Sequence, residues 1–142
     1  MTKPQSRTVL ITGGATRIGK HIALGLAEDG WNVAIHFNKS QADAFEVEKK
    51  INALGVKCMT IKADLARDDA VKGLISKVRQ EIGGVHCLIN NASMFSFDSP
   101  KEFNRSNLEE HMAVNLYAPM FLTSEFAKQV PKNASGCVIN LL

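Results

Sequence analysis

Apolar positions along the chain alternate between short unbroken runs and stretches where they recur every third or fourth residue, so strands and amphipathic helices are expected in turn. Val9-Leu10-Ile11 is the first run. It breaks at Gly13 and is followed by a helix predicted over Arg17 to Asp29, with Ile18, Ile22 and Leu26 on one face and Gly30 as its stop. Asn32 to Phe37 reads as a second strand. Gln41 to Leu54 reads as a second helix, with Ser40 as N-cap, a stripe of Ala44, Val47, Ile51 and Leu54, and Gly55 at its end. The alternation continues with a strand over Lys57 to Lys62, a helix over Asp68 to Ile82 carrying Val71, Leu74, Val78 and Ile82, and a strand over Val85 to Asn90. A long helix from Leu108 to Val130 and a strand from Gly136 to Leu142 complete it. Regular strand and helix alternation predicts one α/β domain over 1–142, with a parallel sheet covered on both faces.

The break after the first strand carries the first chemical signal. In Thr12-Gly13-Gly14-Ala15-Thr16-Arg17-Ile18-Gly19, Gly13 permits a tight reversal and Gly19 lacks the Cβ that would hold helix and strand apart. The helix start at Arg17, Ile18 and Gly19 then offers unpaired N–H groups and positive dipole charge to a pyrophosphate. The end of the second strand bears on which dinucleotide would bind. A ribose diol calls for Asp or Glu there, whereas a 2′-phosphate calls for cations and neutral donors. No acid occurs between Asn32 and Asp43, and His36, Asn38, Lys39 and Ser40 cluster instead, which favours NADPH. The same Asn-Lys-Ser stretch also reads as a solvated loop with a helix cap.

Together, Thr12-Gly13-x-x-x-Arg17-x-Gly19, Asp64 in Ala-Asp-Leu, Asn90-Asn91-Ala92-Ser93 and Asn115 stand in the order and approximate spacing of the short-chain dehydrogenases/reductases. The resemblance runs from about Arg7 to Leu142. It implies a Rossmann-type doubly wound sheet of strand order 3-2-1-4-5, truncated after the fifth strand, and hydride transfer to a small substrate. Arg17 in place of the family's middle glycine, the His36-Phe37-Asn38-Lys39-Ser40 stretch and Phe95 are most similar to the pteridine reductases. That likeness implies an NADPH-dependent reductase of a carbonyl or imine, with a pteridine or dihydropterin favoured and a 3-oxoacyl thioester or other ketone as the alternative.

The resemblance also implies individual roles. Arg17 would face the cofactor phosphate and the substrate. Asp64 would accept from the adenine amino group while the Leu65 backbone lies against the ring, although Asp64 also suits an N-cap. Asn91, Ala92 and Ser93 end a strand at the carboxyl edge of the sheet, where open α/β sheets bind ligands and where small residues admit the cofactor ribose. Phe95 would stack a flat heterocycle against the nicotinamide near Ser93, or else anchor its loop in the core. Asn115 precedes Pro119 by four residues, so its carbonyl lacks the normal helical partner and the helix should bend there. In the family this asparagine holds a water on the catalytic proton path; the other reading is a buried amide satisfied by neighbouring strands. Family members carry a Tyr-x-x-x-Lys pair beyond the fifth strand. The single tyrosine, Tyr117, has Phe121 four residues on, so it is not that tyrosine. The chain therefore reads as the N-terminal, cofactor-binding part of the family domain, or as a non-catalytic NADP-binding module should the polypeptide end at Leu142.

Composition changes this picture little. A net charge of +3 is too small and scattered for nucleic acid. The opening residues lack the apolar core of a secretory signal and no stretch is long enough to span a membrane, so a cytoplasmic protein is expected. Cys58, Cys87 and Cys137 lie in or beside predicted strands and read as reduced core thiols without a metal or redox role. The long helix is apolar on more than one side around Leu116, Met120 and Phe121, and by resemblance it would pair with its mate in a homotetramer.

Overall fold

The computed structural model describes residues 7–141. The opening residues weighed as a possible signal, and Leu142 at the end of the predicted fifth strand, lie outside this range. Five strands, β1 (Thr8–Ile11), β2 (Asn32–Phe37), β3 (Cys58–Lys62), β4 (Cys87–Asn90) and β5 (Cys137–Asn140), form one sheet in the order β3-β2-β1-β4-β5. Every pairing is parallel, with Leu10 opposite Ala34 and Leu88. All five predicted strands are present in the order the resemblance implied.

Strand alternation divides the core into two layers. Val9, Ile11, Val33, Ile35, Phe37 and Ile89 face α1 (Arg17–Glu28) and α2 (Gln41–Ala53). Leu10, Ala34 and Leu88 face α3 (Asp68–Val71), α4 (Leu74–Ile82) and α6 (Ala118–Gln129). Because β1 and β2 are buried on both sides, each large aliphatic there contributes about 1.5–3 kcal/mol through removal from water.

Several helices depart from the periodic pattern for local reasons. α1 buries Gly19, Ala23 and Ala27 rather than the Ile18, Ile22, Leu26 stripe, and leaves Ile18 61% exposed. Close approach of α1 to the β1 turn at Gly19 brings the small-residue face inward. Ser40 precedes α2, but its side chain makes no capping bond, and Leu54 is largely exposed. The helix expected over Asp68–Ile82 is interrupted by Gly73 in the left-handed region (φ 88°), yet both pieces bury the predicted Val71, Leu74 and Val78. The long helix begins earlier than predicted, as α5 (Arg105–Met112), where Asn104 Oδ1 accepts from the Asn107 N–H. It passes through a π-helical turn, Ala113–Tyr117, before α6. The π-helical turn lies just before Pro119, where the helical donor to the Asn115 carbonyl is missing, and within it the Ala118 N–H reaches the Ala113 carbonyl five residues back.

Cys58, Cys87 and Cys137 are free and open β3, β4 and β5. Burial pushes the Cys58 and Cys87 thiols up to about 12, as befits apolar packing. Cys137 departs from the expectation of a core thiol: among the described residues β5 pairs only with β4, and Cys137 is exposed. No helix among the described residues is long and apolar enough to cross a membrane.

Candidate functional site

With all strands parallel, the segments after β1, β2, β3 and β4 meet at the carboxyl edge of the sheet. The β1 turn is the tightest part. Gly13 has φ 63°, and a Cβ at Gly19 would lie 2.2 Å from the Gly13 carbonyl oxygen and 2.6 Å from Asn91 Nδ2. Only glycine fits at position 19. Thr16 precedes α1 in extended geometry and makes no side-chain cap bond, and the first turn holds no acid. The first-turn N–H groups of Arg17, Ile18 and Gly19 are therefore left for an external anion, in a positive helix-dipole field. A cradle closed to any Cβ with an uncapped helix above it fits a dinucleotide pyrophosphate.

Arg17 itself has φ 47°. That left-handed geometry is natural for glycine and costs an L-residue roughly 1 kcal/mol or more. Its side chain is exposed at the mouth of the turn.

Asn91 and Thr12 tie the β4 end to this turn. Asn91 Nδ2 donates to the carbonyls of Thr12 (2.9 Å) and Gly13 (3.1 Å). Thr12 Oγ1 accepts from the N–H groups of Asn91 and Ala92, each at 3.0 Å. The Asn91 amide is thus spent on the backbone. Thr12, read in the sequence only as part of a motif, is buried and central to the site.

His36 differs most from its expected place. The sequence groups it with Asn38, Lys39 and Ser40 around a 2′-phosphate, but it is only 2% exposed and lies beneath the turn. The Gly13 N–H donates to Nδ1 at 3.2 Å, so Nε2 carries the proton and donates to the Ala63 carbonyl at 3.0 Å. Burial depresses its pKa, against smaller opposing contributions from the Ala63 bond and the Asp64 charge. A neutral, fully bonded ring is no phosphate cation. Asn38 and Lys39 are exposed and Ser40 half-buried at the start of α2, whose first turn carries Asp43.

After β3, Asp64 Oδ1 accepts from the Ala66 N–H at 3.0 Å in a local turn rather than capping α3, and Leu65 is buried. After β4, Ser93 is exposed and Phe95 is 78% exposed, in edge-to-face contact with Phe97 at 5.2 Å between ring centres. Phe95 is not a core anchor. Its loop is held from α5 and the π turn instead. Asn115 Oδ1 accepts from the Met94 N–H (2.7 Å), Asn115 Nδ2 donates to the Met94 carbonyl (2.9 Å), and the Ser96 N–H donates to His111 Nε2 (3.1 Å). Asn115 is exposed, not a buried amide satisfied by strands. Beside this loop a cleft of about 620 Å³ is lined by Asp98, Glu102 and Glu110 among serines and asparagines, a poor lining for phosphate.

The geometry agrees with what is similar to this chain. The family model for short chain dehydrogenases matches residues 7–142. The 3-oxoacyl-[acyl-carrier-protein] reductase FabG of Staphylococcus epidermidis is 32% identical over 96% of the chain and 56% of its own length. Among solved structures, FolM alternative dihydrofolate reductase 1 from Brucella suis, in complex with NADP, superimposes with TM-score 0.90 at 37% identity, over 94% of this chain and 56% of that one. A short chain dehydrogenase from Burkholderia cenocepacia, also in complex with NADP, gives TM-score 0.90 at 32% identity over 96% and 55%. The chain spans about half the length of these relatives. Matched along nearly all of its residues, and carrying the glycine cradle in three dimensions, the chain belongs to the short chain dehydrogenase family.

Proposed function

We propose that these residues form the NADP(H)-binding part of a reductase that passes hydride to a small carbonyl or imine substrate. The observation that carries this reading is the cradle at Gly13 and Gly19 beneath an uncapped α1. Solved relatives in complex with NADP support it. The cofactor, when bound, supplies the hydride; the chain supplies its seat. First-turn amides of Arg17, Ile18 and Gly19 would hold the pyrophosphate, Asn38, Lys39 and Ser40 the 2′-phosphate, Asp64 and the Leu65 backbone the adenine, and Ala92 and Ser93 the ribose side. Asn115 would serve the proton path through its carbonyl. The Tyr-x-x-x-Lys acid is not among the 142 residues.

A pteridine or dihydropterin is the favoured substrate. Phe95 presents an open ring face in the loop after β4, Arg17 is an exposed cation at the β1 turn, and a solved relative is a FolM alternative dihydrofolate reductase. Likeness to the 3-oxoacyl reductase favours the second reading, an acyl ketone. Ligand titrations of Phe95→Ala separate them. Binding of a dihydropterin is expected to weaken roughly tenfold, for about 1.4 kcal/mol of stacking, and binding of a 3-oxoacyl thioester by less. Equal losses overturn the pterin assignment. The exposed Leu116, Tyr117, Met120 and Phe121 support association through the long helix as a homotetramer, which sedimentation would show as a fourfold mass.

A further inference from the structure

The chain places a buried histidine between the two loops assigned to opposite ends of the nucleotide. His36 lies in β2, between β3 and β1 and opposite Ile61 of β3, and reaches both loops at once. Nδ1 accepts from the Gly13 N–H, where the phosphate turn begins, and Nε2 donates to the carbonyl of Ala63, next to Asp64. Its own carbonyl accepts from the Gly14 N–H at 3.1 Å. The N–H groups of Gly13 and Gly14 are therefore both bound to His36, which leaves anion binding to the amides further along at the start of α1. On its other side the Gly13 peptide is held by Asn91 Nδ2, at 3.1 Å from the carbonyl. Gly13 is thus clamped through both its N–H and its C=O.

We propose that His36 is a positioning residue for dinucleotide binding, a rigid strut that sets the spacing between the pyrophosphate turn and the adenine-side loop while touching neither phosphate nor base. The inference rests on the cofactor reading above, but the strut is a property of the protein without nucleotide. Its uncharged form is required. A proton on Nδ1 would face the Gly13 N–H donor to donor, and a buried unmatched donor destabilises the turn. The charged groups around it offer little to hold that proton. β1 and Thr12–Thr16 have no titratable side chain, Lys62 of β3 is exposed, and Cys58 lies at the far end of that strand. Asp68 and Asp69 of α3 and Lys77, Arg79 and Glu81 of α4 are exposed; Glu125 of α6 pairs with Lys128, and Arg17 starts α1 on the opposite face. Asp64 alone bears on the ring, and burial outweighs it.

Calorimetric titration of NADPH and of NADH into the protein and into His36→Phe and His36→Gln tests this. Phe keeps the shape and loses both bonds, whereas Gln retains an amide acceptor and donor. A strut predicts that Phe weakens both nucleotides by the same factor, roughly tenfold for about 1.4 kcal/mol, and that Gln restores most of it. It also predicts faster amide hydrogen exchange at Gly13 in the Phe variant without any nucleotide. A loss confined to NADPH would make His36 a 2′-phosphate ligand and overturn the proposal, as would unchanged affinity with unchanged exchange. Should the Phe variant not fold, Gln against the parent and the parent's own tautomer decide: the parent ring must carry its proton on Nε2, and an Nδ1-protonated ring contradicts the strut. If the parent binds neither nucleotide, the cofactor reading fails, while Gly13 exchange in the Gln variant and the Nε2-protonated tautomer seen by nitrogen NMR still decide the strut.

Discussion

Thr12 and Asn91 bind each other's backbone in both directions. The threonine hydroxyl accepts the Asn91 and Ala92 amides, and the asparagine amide donates to the Thr12 and Gly13 carbonyls. This reciprocal staple joins β1 to β4 at the point where the glycine turn leaves the sheet. Thr12→Val keeps the shape and strands two N–H donors, so a loss of roughly 2 kcal/mol is expected. Urea unfolding reads it directly; an unchanged midpoint would mean that the staple contributes nothing.

Two glycines of α1 should respond in opposite senses to alanine. At Gly19 a Cβ would meet the Gly13 carbonyl oxygen at 2.2 Å, whereas at Gly25 it meets nothing within 4 Å. Gly25→Ala is expected to raise stability by about 0.5–1 kcal/mol through helix propensity. Gly19→Ala must displace the turn, with loss of nucleotide affinity and a lower Tm. Paired thermal melts check both, and parallel behaviour would argue against the close approach of turn and helix.

Arg17→Gly separates stability from binding. It removes the cost of a left-handed L-residue, roughly 1 kcal/mol, and also removes a cation from the mouth of the site. The expected outcome is a higher urea midpoint with weaker nucleotide binding. A lower midpoint would show that the guanidinium, not the backbone, dominates that position's energetics.

Stability should also depend on pH through His36. Its pKa is depressed in the folded protein, so between the folded and unfolded values the unfolded chain binds more protons. The stabilisation is therefore complete above the ordinary imidazole range and is lost as pH falls through the folded value. Tm measured from about pH 8 downward should fall more steeply for the parent than for His36→Gln, which has no proton to take up there. Superimposable profiles would place the acid sensitivity elsewhere.

Much of this was legible in the residues. Strand existence follows from apolar runs and glycine stops, strand order from the family resemblance, and the spacing of Gly13 and Gly19 places the cradle. What periodicity could not see was a choice among faces. The Ile18, Ile22, Leu26 stripe is the more hydrophobic one, yet the contact at Gly19 selects the Ala23 and Ala27 side. Gly73 sits between Val71 and Leu74 without disturbing their spacing, so the break between α3 and α4 is invisible to an apolar pattern. Pro119 marks a defect near Asn115, but a missing donor does not announce a π-helical turn over Ala113–Tyr117. The inward placement of His36 is written in its strand position. In a doubly covered parallel strand it must point opposite to Ile35 and Phe37, into the sheet's other layer and away from solvent.

Lys39 is proposed to hold the 2′-phosphate of the nucleotide. Titrating NADPH and NADH into the parent and into Lys39→Ala tests it most directly. NADPH is expected to bind more tightly than NADH, with the preference shrinking in the variant. Tighter binding of NADH, or a preference untouched by the loss of Lys39, would contradict it.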